Sequence, residues 1–255
     1  MLFGFLTFLA GVALLRRRDL RLARRDLPLV LLFGVVALAG VQWTFYESIS
    51  RLPIGVALVI QYTGPLLMLV YARSRGLLVG ARLWLAAALT LLGCYLVVGA
   101  YDASLLALNL GGIPYAVLAM LTFVFYLLLM ERLLVRLSVW TLLVYGFGAA
   151  TLAWLVARPL WTLPWDLVAR PENLALLAGV IAFGTTLPFA LIFVSVSLIP
   201  AARTGLTATF EPVVAVVAAW ILLSETLELP QIVGGAVVLL GIGVAQSLRP
   251  TEGSV

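Results

Sequence analysis

AARTGLTATFEPVVAVVAAWILL, residues 201–223, is a long apolar run with a glutamate–proline step, Glu211–Pro212, near its middle. A helix of about 20 residues, rising 1.5 Å per residue, covers the roughly 30 Å of hydrocarbon in a bilayer. Proline inside such a helix removes a backbone donor and crowds the carbonyl four residues back, here that of Ala208. A carboxylate at the helix centre costs about 2.5–3.5 kcal/mol on insertion scales. Broken backbone is tolerated at membrane depth only against protein or a wet cavity, so this step belongs in a bundle interior.

Outward from this run, the rest of the chain repeats its character. Nearly uncharged stretches occupy 1–15, 28–50, 53–72, 82–100, 111–130, 139–157, 174–198, 201–223 and 230–248. With 64% apolar and only 11% charged residues, and a mean hydropathy of +1.18, the chain lacks the polar surface of a soluble domain. A membrane barrel would show alternating segments of about 10 residues instead. The composition therefore predicts an all-α, polytopic transmembrane bundle of nine helices.

The same composition removes several chemistries. Histidine is absent, Cys94 is the lone cysteine, and all 16 basic residues are arginine. Imidazole metal ligands, intrachain disulfides and lysine Schiff bases are thereby excluded. No GxxxxGK[ST] phosphate loop is present. No catalytic residue, metal or cofactor is expected, and the chain does not read as an enzyme. The net charge of +5 is explained by membrane orientation rather than by nucleic acid.

Arg16, Arg17, Arg18, Arg21, Arg24 and Arg25 crowd the first loop; Arg73, Arg75 and Arg82 lie in the third, Arg132 and Arg136 in the fifth, Arg203 at the seventh, and Arg249 in the tail. Arg51, Arg158 and Arg170 are the only arginines in the intervening loops. The positive-inside rule then puts the odd loops and the C-terminus in the cytoplasm. Asp102 and the pair Glu225 and Glu228 fall on the other side. Nine helices with that orientation leave Met1 outside, and the first run is short. One helix upstream would repair both oddities, so the chain reads as lacking its first helix.

An internal repeat joins the two halves. "SISRLPIGVALVIQYTGP" (48–65) matches "SVSLIPAARTGLTATFEP" (195–212) at an offset of 147, pairing Ser48 with Ser195, Ser50 with Ser197, Pro53 with Pro200 and Pro65 with Pro212. "LLG" at 91–93 returns at 239–241. An odd helix count per repeat inverts the second copy in the membrane, a signature of secondary transporters with a site near the midplane.

The stretch "FEPVVAVVAAWILLSETLELPQIVGGAVVLLGIGVAQ" (210–246) resembles the end of an EamA domain of the drug/metabolite transporter superfamily. The shared elements are Glu211–Pro212, Glu225, Gln231, Gly234, Gly235 and Gly241. "FYESISRLPIGVALVIQYTGPLLMLVYARSR" (45–75) is similar to the matching first-half segment, near the threonine/homoserine-exporter branch. The resemblance implies two inverted repeats of five helices, the first incomplete here: residues 1–100 with four helices and 111–248 with five. It also implies a bacterial inner-membrane protein, C-terminus cytoplasmic, that exports small metabolites such as amino acids or drugs without ATP, by alternating access. The alternative is a non-transporting membrane subunit or assembly factor. The expected partners are an unidentified small molecule and the lipid bilayer; a homodimer stays open, and no nucleic acid is expected.

Within this frame Pro65 and Pro212 are the helix-breaking positions. Gln42, Trp43, Tyr46, Gln61, Thr122, Tyr126 and Glu211 are the candidate substrate-binding residues, because they place amide, indole, phenol, hydroxyl and carboxyl groups on apolar helices. Interhelical hydrogen bonding, about 0.6 kcal/mol each in membranes, is the competing role for the neutral groups. Glu47 and Arg51, one turn apart, read as a local ion pair at a helix end or a gate. Trp161 and Trp165 suit the headgroup layer, and Gly234, Gly235 and Gly241 suit close helix packing. Glu211 has two roles open to it. It could change charge during transport, or it could brace the break as a neutral acid donating to a freed carbonyl. Gly64 at the equivalent position shows that a break needs no acid, which favours bracing.

Overall fold

The computed structural model describes residues 1–102, 110–162, 165–168, 170–224 and 226–248, leaving Glu225 and Arg249 outside the described residues. Every regular element among them is helical. The principal helices are α1 (Leu2–Leu15), α2 (Leu27–Ile49), α3 (Ile54–Ser74), α4 (Ala81–Val97), α5 (Ile113–Leu134), α6 (Val139–Ala157), α7 (Pro171–Leu198), α8 (Ala201–Leu222) and α9 (Leu229–Ser247). All but the shorter α1 and α4 are long and apolar enough to cross a membrane. Each apolar run of the sequence is thus one helix.

Local signals set the ends. Proline occupies the first turn at α2, α7 and α9, where the missing amide costs nothing. Pro53 and Pro200 cap α3 and α8. Ser138 caps α6, its Oγ accepting from the Thr141 amide at 3.1 Å. Glu228 and Gln231 form a reciprocal capping box on α9, satisfying two orphan donors.

Four spans are interrupted, in two pairs at matching places. Helix α2 carries a π-helical segment at Phe33–Leu38 and α7 carries one at Val180–Thr186. Helix α3 divides into Ile54–Gln61 and Gly64–Ser74, and α8 into Ala201–Ala208 and Glu211–Leu223. Phe33 and Val180, Pro53 and Pro200, Ile54 and Ala201, Gly64 and Glu211 are all 147 residues apart. The backbone therefore repeats the order cap, short helix, break, helix at the spacing seen in the sequence.

The chain forms two compact units. The first comprises Met1–Gly40 and Leu128–Leu198. Its core packs Phe8 edge-on against Phe147 and Phe147 edge-on against Phe189, each at 5.0 Å between ring centres. A side chain at Gly34 would lie 2.6 Å from the Gly146 carbonyl, so small residues set the contact between α2 and α6. The arginine-rich loop is tied to α6 by Thr141 and Tyr145, whose hydroxyls donate to the Asp19 and Leu20 carbonyls at 2.7 Å each. Much of α7 is uncovered and apolar, with Leu176, Val180, Phe183 and Leu191 exposed.

The second unit comprises Val41–Leu127 and Ile199–Val255. Helices α4 and α9 pack backbone to backbone: a Cβ at Gly93 would sit 2.7 Å from the Gly234 carbonyl, and one at Gly241 2.9 Å from the Thr90 amide. Arg203 corrects its reading as a loop charge. It lies within Ala201–Ala208, buried, with Nη1 donating to the Leu248 carbonyl at 2.9 Å. The C-terminal carbonyls of a helix lack intrahelical donors, and a guanidinium supplies one while its charge opposes the helix dipole. Gln246 Nε2, donating to Thr207 Oγ1 at 2.8 Å, reinforces that junction.

Candidate functional site

All the candidate residues fall in the second unit, where the two helix breaks and α5 supply the frame. At the first break, Pro65 is buried. A side chain at Gly64 would meet Val124 Cγ2 at 3.1 Å, and one at Gly205 would meet Pro65 Cγ at 3.1 Å. This break is filled by packing. The turn before it, Tyr62–Thr63, carries two hydroxyls to partners on other helices. The Thr63 hydroxyl donates to the Ile60 carbonyl at 2.6 Å and lies 2.8 Å from Met120 Sδ.

Tyr62 makes the central contact. Its phenol donates to Glu211 Oε2 at 2.8 Å, joining the residues beside the two breaks across 149 positions of sequence. The Tyr62 ring meets Phe123 edge-on at 6.3 Å, and Phe123 stacks with Tyr126 at 6.5 Å. Tyr62 and Tyr126 are buried, whereas Glu211 is exposed. Glu211 is thus not enclosed as expected, and its Oε2 accepts from a side chain. Successive helical residues point about 100° apart, so the buried ring of Pro212 turns Glu211 away from the interior. One carboxylate oxygen is held by Tyr62.

A second strand of contacts runs along α5 toward its start. Thr122 Oγ1 and Thr44 Oγ1 share a hydrogen bond of 3.0 Å. Trp43 meets Tyr115 edge-on at 6.2 Å. The Arg51 guanidinium lies 4.3 Å from the centre of the Tyr115 ring, a cation–π distance. Arg51 is also paired with Glu47, which raises the guanidinium pKa chiefly through the hydrogen bond. Both partners are about one-third exposed, so solvent screening keeps the pair weak.

The structure thus links Trp43, Thr122, Tyr126 and Glu211 through neighbours on α5 and before the first break. Among the described residues no side-chain hydrogen bond or ring contact joins Gln42, Tyr46 or Gln61 to this cluster. Gln42 and Gln61 are half-buried, and Tyr46 is exposed. Thr44, Tyr62, Thr63, Tyr115, Met120 and Phe123 were not singled out from sequence. The available signal was position: Tyr62 and Thr63 immediately precede Gly64–Pro65, where an opened backbone lets side chains reach other helices.

Chemically, the arrangement presents a half-capped carboxylate beside helix breaks, with aromatic rings and hydroxyls along one helix. An anionic oxygen near aromatic faces suits an ammonium group. No metal-binding cluster of acidic or cysteine side chains occurs among the described residues.

Comparison with known proteins gives a consistent picture. The model of the EamA-like transporter family matches residues 1–99 and 110–245. The threonine/homoserine exporter RhtA of Escherichia coli (strain K12) is 28% identical over 244 residues, covering 93% of this chain and 78% of that protein. An uncharacterized transporter of Archaeoglobus fulgidus is 25% identical over 246 residues, covering 96% and 83%. A solved crystal structure superposes with a TM-score of 0.77 at 17% identity, covering 95% of this chain and 83% of the other, and so shares the fold.

Proposed function

The chain belongs to the EamA-like transporter family, and on that premise we propose that it exports amine-bearing metabolites of the amino-acid class through a mid-span site built on Glu211 and Tyr62. A multi-pass inner-membrane transporter that exports small metabolites is the common ground of the family and its curated exporter relatives. The non-transporting subunit is not favoured, because the family match runs through both halves. The reading is of a carrier rather than an enzyme, working without ATP.

One observation carries the finer reading: the Tyr62–Glu211 hydrogen bond of 2.8 Å, made beside both helix breaks. A carboxylate at membrane depth is expensive, and a substrate ammonium would offset that cost while bound. Thr44 and Thr122 hydroxyls on the same unit suit a hydroxylated side chain. The recurrence of cap, short helix and break at a spacing of 147 residues supports two repeats, 1–100 and 111–248, of opposite orientation. Pro65 and Pro212 would then be paired hinges for alternating access. The arginine distribution supports a cytoplasmic C-terminus.

Proteoliposomes holding the full chain and loaded with unlabelled L-threonine test the function. Exchange for external labelled L-threonine is expected several-fold above protein-free vesicles. Equal rates with L-threonine and with homoserine in both preparations would contradict the reading. Reporters fused after Arg75 and within 165–168 should report opposite sides; agreement between them would overturn the orientation.

A further inference from the structure

We propose that Arg51 is a recognition residue for the substrate's carboxylate, at the loop end of α2, with Glu47 as its resting counter-ion. The inference rests on the amino-acid reading above and adds to the Glu211 site a second station, of opposite charge.

The geometry at Arg51 is that of a held but incompletely used guanidinium. Each hydrogen bond described for it runs through Nη1, to the Glu47 carbonyl at 2.7 Å, the Glu47 carboxylate and Ser50 Oγ at 3.2 Å. The planar fork that grips a carboxylate with two parallel bonds is therefore not engaged by Glu47. Tyr115 supports the face of the group at 4.3 Å, and Trp43 supports Tyr115. The backbone beneath is tight, since a Cβ at Gly112 would lie 2.9 Å from Arg51 Cβ and 2.6 Å from Leu52 Cγ. A stacked, pre-positioned arginine loses little freedom on binding.

Exchange of counter-ions is inexpensive here. The Glu47 pair is local and one-third exposed, so it is weak, and an incoming carboxylate replaces it with a two-pronged contact. Position also fits. Tyr115 begins a row on α5 that continues through Thr122 and Phe123 to Tyr126, about 16 Å farther along at 1.5 Å per residue. Arg51 stands at the loop end of that row, and Glu211 joins it farther along through Phe123 and Tyr62. A small zwitterion cannot bridge both, so the carboxylate would be met at one station and the ammonium at the next.

Equilibrium binding of L-threonine and of threoninol, its alcohol analogue without a carboxylate, to the purified full chain decides the matter. Arg51→Ala and Arg51→Lys should each weaken threonine binding about tenfold, the loss of a charge-assisted contact, and leave threoninol within about twofold. Glu47→Gln should tighten threonine binding about twofold by removing the competitor. A threonine-to-threoninol ratio unchanged in Arg51→Ala would overturn the proposal, as would equal losses for both compounds or a wild-type chain that binds neither. Wild-type protein that binds threonine but does not move it in vesicles would contradict the exporter reading alone.

Discussion

The two helix breaks of the second unit share backbone and spacing but differ in what fills them. At Gly64–Pro65 the space beside the glycine is taken by Val124 and Phe123, and the proline lies against Gly205. At Glu211–Pro212 the proline is buried, but the residue before it reaches the surface of the unit and accepts the Tyr62 hydroxyl. One break is closed by packing and the other presents a carboxyl group. A repeat that needs only hinges could use the first form twice, and the proposed substrate role of Glu211 rests on this difference.

Exchanging the residues breaks this comparison most severely. Gly64→Glu forces a side chain into occupied space and buries a carboxylate. Overpacking costs about 1–3 kcal/mol and a mid-span charge about 2.5–3.5 kcal/mol. Loss of folded protein in detergent, read by size exclusion and melting, is the expected outcome; wild-type behaviour would mean that the first break is not packed as described. Tyr62→Phe is next. It keeps the ring against Phe123 but removes the donor to Glu211, worth about 1.5 kcal/mol or more for a charged partner. Threonine exchange should fall about tenfold, and the melting temperature by a few degrees.

Two smaller effects sharpen the contrast. Thr44→Val removes one interhelical hydrogen bond, and Thr122 retains the Leu118 and Ala119 carbonyls as acceptors. The expected loss is about 0.6 kcal/mol of stability, measured by thermal unfolding. Tyr101→Phe removes a second tyrosine–glutamate hydrogen bond, to Glu228 at 2.5 Å. That bond, with some desolvation and the charges of Glu228 and Asp102, pushes the phenol from 10.0 up to about 12. The contribution is complete below pH 10, where both states hold the proton, and is lost as pH rises through about 12. Tyr101 is solvated, so transport at neutral pH should not change; a marked loss would give this contact a role denied to it here.

Much of the fold was legible before any coordinates. Apolar runs become helices because a membrane-spanning backbone must satisfy itself internally. Pro53, Pro65, Pro200 and Pro212, paired in the sequence repeat, stand at caps and breaks because proline acts locally. The π-helical segments were not legible, since Phe33–Leu38 and Val180–Thr186 are ordinary apolar sequence. The site was only half visible. Glu211 stands out in an apolar run, but Tyr62 looks like any interfacial tyrosine until the break turns it toward a residue 149 positions away. Arg203 misled for the same reason. Charge counting assigned it to a loop, and a tertiary contact with Leu248 holds it inside.

Threonine counterflow in proteoliposomes, comparing wild-type chain with Glu211→Gln at matched incorporation, tests the central claim most directly. Glutamine keeps the shape and can still accept from Tyr62, but it offers no charge to an ammonium. If Glu211 is the substrate's partner, exchange should fall at least about tenfold, the scale of one charge-assisted hydrogen bond, while the melting temperature stays near wild type. Exchange within twofold of wild type would contradict the claim and return Glu211 to a structural role at its helix break.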